Sequence, residues 1–291
     1  MNFVEDPLLL FNEDNHTYFY NEKRIPISVS KAVSYFFPKF DKVGQSQKIA
    51  NKIELISKIP ENQRSYWDRK YYSDKFDYHK KTAEDIQYMW DENGKRAANE
   101  GTEFHKLIED YDVSKQMSHP PATTPYRQEF DNFLEYDKYV KHQEGWQYVA
   151  SEVKTCFNHK KVVNIAGQVD RLMMRDGFYM IEDWKRCKPQ TFSSKTQAKF
   201  PFQDMYDRKA NKYAIQVNLY KFLLEHHYDI HIEQMRVVRF YKNDVEIFEI
   251  DEIPMEKLLK ALKQLQPVIE RKRENIERKL RKERNKRRHH F

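Results

Sequence analysis

The sequence predicts an α/β (α+β) fold in which helices flank a central mixed β-sheet, behind a largely helical N-terminal part. Two observations carry this. Apolar residues recur at helical spacing through most of residues 45–142, and the period then shortens to two over residues 147–184. After that the order is helix, hairpin, helix, which suits a sheet with helices on its faces.

Residues 16–29 (HTYFYNEKRIPISV) alternate around Asn21-Glu22-Lys23 and read as a β-hairpin. Ser28 or Ser30 caps a helix running to about Phe37, before Pro38. Residues 45–100 read as mostly helical, interrupted near Pro60 and Gly94. A further helix starts at Glu100, capped by Asn99, with Phe104, Leu107, Ile108 and Tyr111 on one face. The segment SKQMSHPPATTP is a loop, and residues 126–142 form an amphipathic helix that turns Phe130, Phe133, Leu134 and Val140 inward. Residues 147–157, 161–174 and 178–184 are three consecutive strands, joined by turns at Asn158-His159-Lys160 and Asp176-Gly177. A polar loop over 188–210 leads to a helix from Asn211 to His227. Residues 234–250 form a second hairpin around Lys242-Asn243-Asp244, and a last helix follows Pro254. The aromatic and basic stretch from Tyr66 to Tyr78 reads first as core packing, with stacking on single-stranded bases as the alternative.

The 291 residues suffice for one large domain or two small ones. No apolar run is long enough for a membrane span, and the acidic start MNFVEDPLLLFNEDN lacks the basic n-region of a secretory signal. Two isolated cysteines, Cys156 and Cys187, exclude a disulfide scaffold and a four-cysteine metal site, so an intracellular location is expected. With 19 Tyr, 19 Phe and 4 Trp, wholesale disorder is excluded. The net charge of +7 lies in the end of the chain, because residues 271–291 carry eleven Lys/Arg against three Glu. Such a tail attracts phosphate backbones without reading sequence. A solvated helix end explains it equally well.

Four short motifs carry chemistry. Gly101–His105 (GTEFH) sets an imidazole on a helix, and Gly167–Asp170 (GQVD) sets a carboxylate at a strand end. Asp183 and Lys185 (DWK) share one face of a strand, because side chains alternate. Gln216 and Tyr220 stack one turn apart on a helix. Two carboxylates and an imidazole form an open site for a hard divalent cation, Mg²⁺ or Mn²⁺. Such a cation polarises a phosphoryl oxygen and acidifies a bound water, and Lys185 adds positive charge beside them. Each motif alone has an ordinary structural explanation. Their order and placement together point to phosphodiester hydrolysis.

The set resembles the PD-(D/E)XK nuclease superfamily, in its RecB-like and lambda-exonuclease-like branch, whose core runs G-x-x-x-H, G-x-x-D, (D/E)-x-K and Q-x-x-x-Y. The resemblance spans residues 100–225, and its GTxxH and DWK wording is similar to mitochondrial genome maintenance exonucleases and to phage or viral relatives. It implies a restriction-endonuclease-like core over 99–253, an N-terminal hairpin and helical region over 1–98 that shapes a DNA channel, and a C-terminal helix with a basic tail over 254–291. His105, Asp170 and Asp183 would be metal ligands, joined by the Trp184 backbone carbonyl. Lys185 would be the catalytic lysine, acting with Asp170 and Asp183. Gln216 and Tyr220 would hold DNA or the active-site lysine loop. From their place directly after the catalytic strand, Arg186, Lys188 and Lys195 are candidates to meet substrate phosphates, with a solvated loop as the alternative. Glu109, one turn after His105, is a candidate acceptor for its imidazole, with a surface carboxylate as the alternative. Glu152 is able to approach the metal only if the strand register allows it, whereas Glu182 points to the opposite face. Val169 stands where the family's proline would be. The four cysteines of iron–sulfur members are missing, so no iron–sulfur cluster is expected. The implied activity is a metal-dependent DNA nuclease, foremost an exonuclease on ends or single strands in replication, repair or recombination. The alternatives are a structure-specific or nicking endonuclease and a non-catalytic nucleic-acid-binding scaffold. The basic tail is a candidate contact for a replication or recombination protein. Richness in Lys, Asn, Tyr and Phe suits an AT-rich viral or phage genome.

Overall fold

The computed structural model describes residues 3–114, 124–157, 165–188 and 194–288. The turn expected at 158–160, most of the loop after Ser114, part of the polar loop after Lys188 and the last three residues lie outside these. The chain forms two compact units, Met1–Pro38 with Glu103–Phe291, and Lys39–Thr102.

In the larger unit, β1 (Leu9–Asn12), β2 (Thr17–Tyr20) and β3 (Lys23–Arg24) make a small antiparallel sheet. The β2–β3 turn puts Asn21 and Glu22 at φ +45° and +63°, the left-handed pair that a tight hairpin needs. The alternation in the sequence begins only at His16 and does not announce β1. β4 (Ile27–Ser28) passes directly into α1 (Val29–Tyr35), where the Ser28 hydroxyl accepts the Lys31 amide. α5 (Arg127–His142) precedes the meander β5 (Gln147–Phe157), β6 (Ile165–Arg175) and β7 (Phe178–Arg186). α6 (Lys209–Tyr228), β8 (Ile232–Tyr241), β9 (Asp244–Glu249) and α7 (Met255–Arg288) complete the unit.

The main sheet has the order β4-β6-β7-β8-β9, with β5 antiparallel on the other edge of β6. Two strands share one edge of β6. β4 pairs in parallel with Ile165 and Ala166, and β7 pairs antiparallel with Arg171–Arg175. Among the described residues, 167–170 have no ladder partner on that edge, so the sheet forks there. Asp170 therefore lies in mid-strand, not at the strand end expected, because pairing with β7 extends β6 beyond it.

One apolar core lies between the sheet and α1, α6 and α7, and includes Val29, Val153, Ile181, Val237, Phe222 and Leu262. α6 is buried almost all round from Val217 to Leu224, as a central helix must be. A second core unites Phe130, Phe133, Trp184 and Phe240 with Phe104 and Ile108. The latter two belong to α4 (Ala83–Ser114), a single helix of 32 residues. Neither the break at Gly94 nor the new start at Glu100 occurs. Thr82 and Asp85 cap α4 reciprocally, at 3.0 and 3.1 Å. The cost of one glycine, about 1 kcal/mol, is absorbed by the helix-forming residues around it.

The second core also holds ions. Arg171 is wholly buried against Asp112 (3.4 Å), Glu182 (3.4 Å) and Asp137, and Tyr136 donates to Glu182. Arg171 and Glu182 are direct cross-strand partners on the last rung before the fork. Burial pushes Asp112 and Glu182 above the ordinary carboxylate range although Arg171 opposes it.

The smaller unit contains α2 (Lys42–Ser57), α3 (Tyr66–Tyr71) and the first part of α4. The stretch from Tyr66 to Tyr78 is not core. None of its residues is buried, and Tyr66 and Trp67 are 74 % and 60 % exposed. Its rings lie against cations, Lys52 over Tyr71 at 3.8 Å and Lys70 over Trp67 at 5.3 Å. The rings also meet one another, Tyr66 with Trp67 and Tyr71 with Phe76, yet no buried apolar cluster includes them.

Removing Arg171 leaves Asp112 and Glu182 buried without the cation beside them, while Asp137 keeps Lys141 at 2.7 Å. Arg171→Met is expected to destabilise the fold by about 3–5 kcal/mol, measured by urea denaturation.

Candidate active site

At the fork, segments distant in sequence converge. His105 extends from α4, with Nδ1 3.5 Å from Asp170 Oδ1. The other oxygen of Asp170 accepts the Trp184 backbone N–H at 2.6 Å. The Asp170 side chain thus takes the place of a strand across the gap. Asp183 and Lys185, two residues apart on β7, are ion-paired with side chains 3 % and 18 % exposed.

Glu152 is the group whose position the sequence left open. Its backbone sits at φ +53°, a left-handed conformation rare for residues with a Cβ. Alternation breaks at this residue. Ser151 bonds Asp112 in the ionic cluster at 3.1 Å, whereas Val153 joins the first apolar core. On β6, Val169 and Arg171 divide in the same way. The reversal brings the Glu152 carboxylate beside Asp170, and Gln168 donates to it. His105, Glu152 and Asp170 each offer a ligand atom, all within 4.8 Å of one another. This is a possible acidic metal-binding triad, and its imidazole and carboxylate donors suit a hard or borderline divalent cation.

Gly167 and Tyr220 explain each other. A Cβ at Gly167 would stand 2.4 Å from the Tyr220 ring and 2.9 Å from Val29. The missing side chain lets α6 lie on β6 at the fork. Gln216 Nε2 then donates to Tyr220 Oη at 2.9 Å, and the two residues form one bonded pair at the edge of the site. Tyr213, one turn earlier on α6, has its ring centre 5.1 Å from Lys185 Nζ.

The site's charges hold one another. Burial pushes Asp170 up, but His105 and Lys185 together bring it below the ordinary carboxylate range. Burial opposes the His105 imidazolium, yet Asp170 holds its pKa above the usual value. Burial also opposes the Lys185 cation, and Asp183 and Asp170 outweigh it. Burial, reinforced by Asp170, raises Asp183 to about 6 and Glu152 to about 8.

The other candidates lie elsewhere. The Glu109 carboxylate pairs with Lys106 at 3.1 Å, while His105 meets Asp170. Arg186 turns to the second core, with Glu129 at 3.1 Å and the Tyr126 ring at 4.7 Å. Lys188 and Lys195 are exposed beyond the end of β7. Glu182 faces Arg171 on the far side, as strand alternation predicts. No spacing signal announces Glu152, because a single left-handed residue carries it to the site.

Two outcomes follow. Glu152, Asp183 and His105 all bind protons more tightly in the folded chain than in the unfolded one. Their contribution to stability is therefore full at low pH and is lost as pH rises through about 6 to 8. Metal-free protein is expected to lose on the order of 2 kcal/mol across that range, and Glu152→Gln to flatten the slope in thermal melts. Gly167→Ala is expected to destabilise by about 1–3 kcal/mol through overpacking. Combined with Tyr220→Ala, its cost should fall short of additive in a double-mutant cycle.

Comparison with known proteins gives a family match. Residues 126–289 match the family model described as the PD-(D/E)XK nuclease superfamily. The match contains Asp170, Asp183, Lys185, Gln216 and Tyr220, and begins after His105. No curated protein matches the chain. One solved structure similar to it is titled "Crystal structure of SSO0001", with 16 % identity over 57 % of this chain and 71 % of that one, at a TM-score of 0.31. More than half of the chain matches the family model, over the segment that holds strands β5 to β9 with the Asp-x-Lys strand among them, and the protein belongs to the PD-(D/E)XK nuclease superfamily.

Proposed function

We propose that the protein is a divalent-metal-dependent deoxyribonuclease of the RecB-like and lambda-exonuclease-like branch, acting foremost as an exonuclease on DNA ends or single strands. The observation that carries the reading is the convergence of His105, Glu152 and Asp170 beside the Asp183–Lys185 pair. His105 and Asp170 would hold the cation together with Glu152, a ligand the motifs do not include, and Asp183 would complete the set from the adjacent strand. In an extended strand a residue's N–H and C=O leave by the same edge. The Trp184 N–H reaches Asp170, so its carbonyl is directed toward the same gap. A cation there, Mg²⁺ or Mn²⁺, supplies Lewis acidity and an acidified water.

Lys185 places a permanent positive charge where negative charge develops on the phosphate. Asp183 holds that ammonium in position, and the Tyr213 ring supports it. Asp170 takes the proton-bearing side of His105 and keeps the imidazole oriented. Gln216 and Tyr220, locked together at the fork, form a wall against which the substrate is positioned. Exposed Tyr66 and Trp67, with Lys70 beside them, offer stacking faces for unpaired bases. The exposed basic end of α7 adds attraction for phosphates that reads no sequence and is also the proposed contact for a replication or recombination protein.

The test is cleavage of end-labelled single- and double-stranded DNA. Mg²⁺ or Mn²⁺ is expected to support cleavage and EDTA to abolish it. Lys185→Ala and Asp183→Asn are expected to lower kcat at least about 10²–10³-fold while leaving DNA binding measurable. Cutting of a closed circle would favour the endonuclease reading instead. Binding without cleavage on every substrate would favour the scaffold.

A further inference from the structure

A cavity of about 680 Å³ lies beside this site and has no role in the mechanism above. Its position follows from the register of three strands. Asp183 pairs with Val237 and Val237 with Phe248, while Lys185 pairs with Arg239 and Arg239 with Glu246. Cross-strand partners share a face, so two rows of side chains run from the Asp-Lys pair over β8 to β9. The far members of both rows line the cavity. Its near wall is Cys187 and Lys188, which follow β7 directly, with Tyr213, whose ring also meets Lys185. The cavity is thus the continuation of the active-site face, past the carboxyl end of β7 and across the middle of β8.

Its chemistry selects the ligand class. The volume falls within the roughly 300–1,000 Å³ of small-ligand pockets. Tyr213 and Phe248 give it aromatic walls, and Ala214 leaves the α6 side open. The lining carries five carboxylates against four cations, and two of those cations are held in ion pairs. Arg239 holds Asp244 and Glu246 at 2.6 and 2.7 Å, and Lys257 holds Asp204 at 2.6 Å. A phosphate would therefore meet more carboxylates than cations there. A planar, uncharged group with N–H donors would find aromatic faces and acceptors. We propose that this cavity receives one unstacked nucleobase of the strand being cut, next to the phosphate held at Lys185. The proposal rests on the nuclease reading and deepens it, since a seated base registers the scissile phosphate against the site.

The experiment uses the full chain and a single-stranded oligonucleotide carrying one abasic position, moved stepwise along the strand, with all cut sites mapped on a sequencing gel. Cleavage at one phosphate, at a fixed offset from the abasic position, is expected to drop about tenfold, as loss of a stacked base does. Ala214→Trp, which fills the cavity, is expected to lower cleavage of the intact strand by a similar factor through KM and to erase the abasic effect. Ala210→Trp, one turn earlier at an exposed position, repeats the test if Ala214→Trp does not fold. Cleavage of the intact strand with no offset-specific loss, or penalties that simply multiply in the filled variant, overturns the pocket and leaves the nuclease reading standing. No cleavage of the intact strand overturns the nuclease reading, and the pocket, defined by the scissile phosphate, falls with it.

Discussion

The site depends on the place where β7 leaves β6. Arg171 and Glu182 form the last rung of that pairing, and beyond it, among the described residues, the edge of β6 is bare until β4. A bare strand edge inside a protein leaves backbone groups that need partners. Asp170 supplies one from its side chain by accepting the Trp184 amide. The same carboxylate therefore closes a structural gap and faces His105 and Glu152. Tyr220 covers the bare segment at Gly167, where only a glycine leaves room for the ring.

The rung itself is held from the opposite side of the sheet. Arg171 is buried among Asp112, Asp137 and Glu182, which come from α4, α5 and β7. Ion pairs of this kind contribute little net stability over apolar packing, but losing one member is costly. Here the cluster fixes which residue of β7 lies opposite which residue of β6. Slippage by one residue would exchange Asp183 for Glu182 and reverse both faces. Neighbours in sequence thus divide the work. Arg171 and Glu182 anchor the rung, while Asp170 and Asp183 form the site.

The motif residues were legible because their spacing reports local geometry. Asp183 and Lys185 share a face through strand alternation, and Gln216 and Tyr220 meet through the helical turn. The meander, α5, α6 and the second hairpin were legible for the same reason. Two other features were misread or left open because tertiary context overrode the local signal. α4 continues through Gly94, since one weak residue does not stop a well-capped helix of this length. Glu152 reaches the site only by a backbone conformation that residue type does not announce.

By itself, then, the sequence determined most of the order of elements, the family and the residue types of the candidate site, because these rest on periodicity and on short spacings along one strand or one helix. The tertiary structure decided how the parts combine. It set the fork in β6, the left-handed turn of Glu152, the burial that moves Asp183 and Glu152 toward neutrality, and the cavity that extends the site across β8 and β9. Each of these arises from pairing or packing between segments far apart in the chain, for which local spacing carries no record.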